Sequence, residues 1–117
     1  MGAGKYNFVI EQGVTFSLVL TWKDSTMTAI DLTNYTASMS IKLAKTDTTA
    51  IKTLSSSGVS PNIALGGVLG TIAITMSAAE TALLNFENAY YDLEMTSAGA
   101  VTRLVEGTVT LSKEVTA

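Results

Sequence analysis

The side chains that could do chemistry in this chain are carboxylates, because its 117 residues include no histidine and no cysteine. Their joint absence removes the commonest general base, the commonest metal ligand, Ser–His and Cys–His nucleophiles, disulfides and thiolate metal sites. The sharpest remaining grouping is Asp92, Glu94 and Glu106. Asp92 and Glu94 stand two apart and so share one face of a strand, and Glu106 can lie opposite them on the next strand. Such a set could hold a divalent cation through oxygens or work as paired acid and base. The plainer reading is preferred: wet-face carboxylates compensated by Arg103 and a neighbouring lysine, with no metal and no cofactor. Tyr90 shares that face as a cross-strand packing or contact aromatic. Tyr90, Asp92, Glu94, Arg103 and Glu106 are therefore expected to form an interface patch, and the chain is not expected to be an enzyme.

Gly66, Gly67 and Gly70 (GGVLG) lack the Lys-Ser/Thr ending of a phosphate-cradling loop, and a strand pattern follows them where a helix is required. They read as a turn. The seven basic residues are scattered along a chain of net charge −3, which argues against a nucleic-acid partner, since phosphate binding needs a clustered basic footprint. No apolar run reaches the ~18 residues of a membrane-spanning helix. The start, MGAGKYNF, has no apolar core of a signal peptide, and Tyr6 breaks the myristoylation pattern.

A chain of this length is expected to fold as one domain over 5–117, behind a flexible arm at 1–4, burying roughly 65% of its unfolded surface. Only 15% of residues are charged, against about 25% in a typical domain. Either Ser and Thr supply the polar strand faces, or part of the surface is covered by other copies or partners.

Period-two alternation, the mark of a strand with one buried face, sets the element positions. Val14, Phe16, Leu18, Leu20 and Trp22 alternate with Thr15, Ser17, Val19 and Thr21, Ala37, Met39, Ile41 and Leu43 alternate with polar neighbours, and a further strand spans Thr71 to Met76. Weaker strands are expected at Tyr6–Ile10, Ala50–Leu54 and Ile63–Leu65. In the C-terminal quarter two long strands flank a turn at Ser97–Ala100. Tyr91, Leu93 and Met95 point one way in the first, and Val105, Gly107, Val109 and Leu111 one way in the second. Asp31, Thr33 and Asn34 mark a turn, with Asn34 suited to positive φ. Ser77 and Glu80 form a capping box that opens a helix over 78–85. Trp22, Met27, Met39, Met76 and Met95 are assigned to the core. The expected fold is an all-β antiparallel β-sandwich of seven or eight strands, Ig-like or jelly-roll-like, with that one short helix.

Two segments, Phe8 to Tyr35 (FVIEQGVTFSLVLTWKD, then IDLTNY) and Tyr90 to Thr116 (YYDLEMTSAGAVTRLVEGTVTLSKEVT), resemble a family of small tailed-bacteriophage virion proteins. They look like the N-terminal domain of phage upper-baseplate proteins, with its Ile-Asp-Leu-Thr-Gly-Tyr-like turn, Tyr-Asp-Leu strand, hairpin and Gly-Thr ending. The resemblance spans most of the chain, and its motifs are structural. Ala29 stands where Pro is common, and Asn34 where Gly is common. Baseplate members carry a further trimerisation or receptor-facing region, and against that pattern a stand-alone module is expected here. The resemblance implies a virion structural protein made in the bacterial host cytoplasm. It would be a tail, baseplate or fibre-attachment module, working in symmetric copies by contacts with tail, fibre or capsid subunits. The alternatives are a capsid decoration protein and, more remotely, a carbohydrate-binding module stacking sugars on Tyr6, Tyr35, Tyr90 or Tyr91. If the C-terminal hairpin docks on a partner by its edge, Val109→Pro is expected to abolish incorporation into particles.

Overall fold

The strands form where apolar residues recur every second position, and the computed structural model describes them over residues 4–57 and 61–113. In chain order they are β1 (Gly4–Lys5), β2 (Phe8–Glu11), β3 (Phe16–Thr21), β4 (Thr36–Lys42), β5 (Lys52–Ser55) and β6 (Ile63–Leu65). One 3-10 turn at Gly67–Leu69 leads into β7 (Thr71–Met76), followed by helix α1 (Ala78–Ala82), β8 (Asn88–Ser97) and β9 (Ala100–Ser112). The larger sheet runs β1-β9-β8-β4-β5 with β2 also on β9, and the smaller runs β3-β7-β6. Their facing sides enclose one core: Ile10, Met39, Ile41, Leu93, Met95 and Val109 from the larger sheet, and Ile63, Ile72, Ile74 and Met76 from the smaller. The all-β sandwich expected from alternation is the fold.

Several details differ. The pairing is antiparallel except for β1 and β2, which run parallel to β9; alternation is the same in either direction, so periodicity carries no sign of it. The N-terminal strand is interrupted at Tyr6–Asn7, which makes nine strands among the described residues where seven or eight were expected. Of the expected arm, 1–3 lie outside the described residues, and Gly4 belongs to β1. The helix stops at Ala82, leaving Leu83 exposed and Leu84 buried. Among the described residues the non-glycine positive φ values fall on Met27 and Ala98, not on Asn34. Met27 is exposed rather than core, while Trp22 is half-buried at the rim, edge-on to Tyr35 with ring centres 5.5 Å apart. The C-terminal hairpin is covered around Val109, since β8 is flanked by β4 and β9 by β1 at 105–106 and β2 at 109–112; the 100–104 stretch of β9 has no second strand partner among the described residues. Val109 is fully buried.

The N-terminal strand is held on β9 by a close backbone approach. The Tyr6 carbonyl accepts a 2.6 Å hydrogen bond from the Tyr91 hydroxyl, and Asn7 Oδ1 accepts one from the Thr108 N–H at 2.9 Å. Gly107 makes this possible: a Cβ there would lie 2.1 Å from the Tyr6 oxygen and 2.7 Å from Asn7 Oδ1. On the other side of β9 the register with β8 slips between Leu93–Val105 and Glu94–Arg103, so Leu104 is an extra residue, a β-bulge. The hairpin closes through Ala98 (φ 50°) and Gly99 (φ 85°), the paired positive values of a tight two-residue turn.

The helix cap forms as read from sequence: Glu80 N–H donates to Ser77 Oγ at 3.1 Å, and Ser77 N–H donates to Glu80 Oε1 at 2.9 Å. Asn62 and Lys52 also reach Glu80, tying α1 to β5 and to the approach to β6. The Ser77 backbone N–H, with Asn62 and then Lys52, pushes the Glu80 carboxyl down from 4.5 to about 2 against the opposing cost of desolvation.

Two outcomes follow. Gly107→Ala should cost about 1–3 kcal/mol, the range for forcing atoms into a filled space, seen as an earlier urea midpoint; an unmoved midpoint contradicts the close approach. For Glu80 the folded value lies below the ordinary one, so its stabilisation is present above about pH 5 and is lost as pH falls towards about 2. Glu80→Gln keeps an acceptor for the box and removes the titration. The stability gap between the two proteins should therefore be constant above about pH 5 and close towards about pH 2. A gap independent of pH, in denaturation at stepped pH, contradicts the ionised cap.

Candidate functional site

The outer face of the larger sheet is built from the residues that alternate against the core. Strand register places Ser40, Asp92, Glu106 and Lys5 in one row across β4, β8, β9 and β1. Lys42, Tyr90 and Thr108 make the neighbouring row on one side. On the other side Ser38, Glu94 and Arg103 pair. Arg103 reaches this face only because of the Leu104 bulge. In an unbroken alternation it would share the inward phase of Val105, and the extra residue reverses it.

The charges are interlocked. Lys5 Nζ lies 2.6 Å from Glu106 Oε2, Arg103 Nε 3.4 Å from Asp92 Oδ2, and Arg103 Nη1 3.9 Å from Glu106 Oε1. The hydrogen-bonded Lys5 ammonium, with Lys45 and Arg103 further off, holds the Glu106 carboxyl below its ordinary range despite desolvation. A general acid at neutral pH needs the opposite shift. The Lys45 ammonium stands 5.5 Å from the centre of the Tyr90 ring, within cation–π range. Between these groups lies an open cleft of about 170 Å³, lined by Ser40, Lys42, Lys45, Tyr90, Asp92, Arg103, Glu106 and part of Tyr91.

Four of the five residues singled out from sequence, Tyr90, Asp92, Arg103 and Glu106, line this cleft, and Glu94 sits one row away outside the lining. Among the described residues no group of three or more carboxylates is placed to hold a metal ion, and the cations nearby occupy Asp92 and Glu106 instead. Sequence reasoning missed Lys5, Ser40, Lys42 and Lys45. Their signal was weak: Lys42 and Lys45 flank Leu43-Ala44 at the end of a strand, and Lys5 approaches only through the parallel pairing. The basic residues, scattered in sequence, are gathered in space. Lys5, Lys42, Lys45 and Arg103 against Asp92, Glu94 and Glu106 leave one net positive charge on this face. The rest of the −3 chain therefore carries four net negative charges.

The outer face of the smaller sheet is chemically the reverse. Ser17, Val19 and Thr21 of β3 pair with Thr75, Ala73 and Thr71 of β7, and Ala64 of β6 adjoins Ala73. No charge stands among them, and Val19 is 59% exposed. β3 has no strand partner on its other side among the described residues. Of the other sheet edges, β1–β2 is interrupted and carries Lys5 and Glu11, the open 100–104 stretch of β9 carries Arg103, β5 carries Lys52, and β6 has three residues. The six-residue β3, Phe-Ser-Leu-Val-Leu-Thr, has none of the devices that blunt an edge.

No protein-family model matches this chain, and no curated protein matches it. Among solved structures it is similar to an uncharacterized protein from Bacillus anthracis str. Ames, at 12% identity and a TM-score of 0.40, over 97% of this chain and 86% of that one. A likeness at that level carries no argument about role. Among the described residues no helix is long and apolar enough to cross a membrane.

Proposed function

We propose that this chain is a non-enzymatic structural module of a tailed-bacteriophage particle, a tail, baseplate or fibre-attachment component working through contacts with neighbouring subunits. The observation that carries the contact reading is the open β3 edge beside an uncharged sheet face. Unpaired backbone donors and acceptors with no charge or proline to repel a second strand form a template for strand addition. The particle context rests on the resemblance of Phe8–Tyr35 and Tyr90–Thr116 to virion proteins. A chain without histidine or cysteine, with Glu106 held ionised by cations, suits a part that assembles better than one that catalyses.

The experiment is quantitative mass spectrometry of separated heads and tails, with wild type and Val19→Lys. Val19 is exposed, so the variant should fold, which circular dichroism checks, while its ammonium blocks strand addition. Wild type confined to tails and folded variant absent from them is the expected result. Copies spread over isolated heads would make it a decoration protein, and absence from both fractions contradicts the particle reading. Normal incorporation of the folded variant contradicts docking by β3.

A further inference from the structure

We propose that the cleft on the outer face of the larger sheet binds one hexuronate unit, an acidic sugar ring. Lys42 and Lys45 would take its carboxylate, Asp92 and Glu106 its hydroxyls, and the Tyr90 ring its apolar face. The site lies apart from β3 and does not depend on the assembly reading.

The first observation is the charge sorting: an acidic protein collects four of its seven basic residues around one cleft. The second is that the cations are not alike. Lys5 and Arg103 are engaged by Glu106 and Asp92. Lys42 is half-buried in the cleft wall, and its ammonium has no ion-pair or hydrogen-bond partner among the described residues. An ammonium at a cleft wall without a counter-ion is a place where an incoming anion finds an unengaged donor. Lys45, across the Tyr90 ring, supplies a second positive charge from the turn after β4.

The carboxylates narrow the choice of anion. Asp92 and Glu106 line the same cleft, so a phosphate dianion meets repulsion as well as attraction. Ionised carboxylates only accept hydrogen bonds, so the ligand must present donors to them. A peptide carboxylate could satisfy the lysines, but its chain offers donors only where backbone geometry puts them. A hexuronate carries one negative charge, several hydroxyl donors on a rigid ring, and an apolar C–H face that an exposed aromatic can cover. Tyr90, 39% exposed, is placed for that. The volume of about 170 Å³ is below the roughly 300–1,000 Å³ of sites for larger ligands, which matches one ring rather than an enclosed oligomer. An open site of this size binds weakly, with a dissociation constant on the order of 1 mM.

The test is titration of the full chain by calorimetry and by amide shifts in NMR at constant ionic strength. The probes are sodium glucuronate, glucose and sodium acetate. Glucuronate should saturate, shifting amides of Tyr90, Asp92 and Lys42, with glucose and acetate each weaker by roughly tenfold, the loss from removing one charged or several polar contacts. Lys42→Gln and Asp92→Asn, which keep the side-chain stems on an exposed sheet face, should each weaken glucuronate by roughly tenfold as well. Acetate binding as tightly as glucuronate would reduce the cleft to a general carboxylate site and overturn the proposal. So would glucose binding equally well, no saturation by glucuronate, or full affinity in folded Lys42→Gln.

Discussion

The structure depends on one short approach, the Tyr6 carbonyl passing over Gly107. A parallel strand can lie on β9 there only because the position has no Cβ, and the Tyr91 hydroxyl and the Asn7 side chain then fix it in register. Phe8 and Ile10 enter the core as a consequence, Phe8 packing on Phe16 and Tyr91 at ring separations of 5.3 and 4.8 Å. The burial of the Tyr91 ring and hydroxyl against this strand pushes its phenol up to about 12, with the Tyr6 phenol a lesser influence. Without the N-terminal strand the hairpin of β8 and β9 would be an open edge. With it, the hairpin is the centre of the larger sheet.

The same pairing shapes both surfaces. It brings Lys5 over Glu106, and the Leu104 bulge brings Arg103 over Asp92, so two carboxylates in one row find cations from two directions. Exposed pairs of this kind contribute little to stability, about 0–1 kcal/mol each. Their larger effect is to engage both carboxylates, leaving the Lys42 ammonium without a partner among the described residues beside Tyr90. On the opposite face the paired outward residues of β3, β7 and β6 carry no charge. With β9 covered at 105–106 and 109–112, β3 is left as the uncharged edge, and its sequence carries nothing to discourage a partner strand. One face is charged and carries a cleft, and the other is uncharged beside an open edge.

Much of this was legible in the amino-acid order. The alternation at Phe16–Thr21 and Thr36–Lys42 set strands and faces, and Ser77 with Glu80 marked the helix start. Asp31 was read as a side chain that bonds its own turn, and it does accept from the Thr33 N–H and hydroxyl. The parts that were not legible share a physical cause: they depend on relations between strands far apart in sequence. Strand direction leaves no trace in a period of two. A bulge appears only as the adjacent apolar pair Leu104-Val105, which an alternation count takes for noise. Left-handed backbone fell on Met27 and Ala98 because turn closure required it there, over the residue preference that favoured Asn34. The patch of Tyr90, Asp92, Arg103 and Glu106 was found because it lies within one hairpin. Lys5 and Lys42, on β1 and β4, could not be added without the register.

The docking of the N-terminal strand on β9 is best tested by native-state amide hydrogen exchange, which reports local opening residue by residue. The Tyr6 N–H donates to the Glu106 carbonyl at 3.0 Å, and the Gln12 N–H to Ser112 at 2.9 Å. Protection of these two amides close to that of the buried β8 amides, Leu93 and Met95, is the expected result. Exchange at Tyr6 and Gln12 as fast as in an unstructured peptide, while Leu93 and Met95 stay protected, would mean the strand is not docked, and the row from Lys5 to Ser40 would lose its outer member.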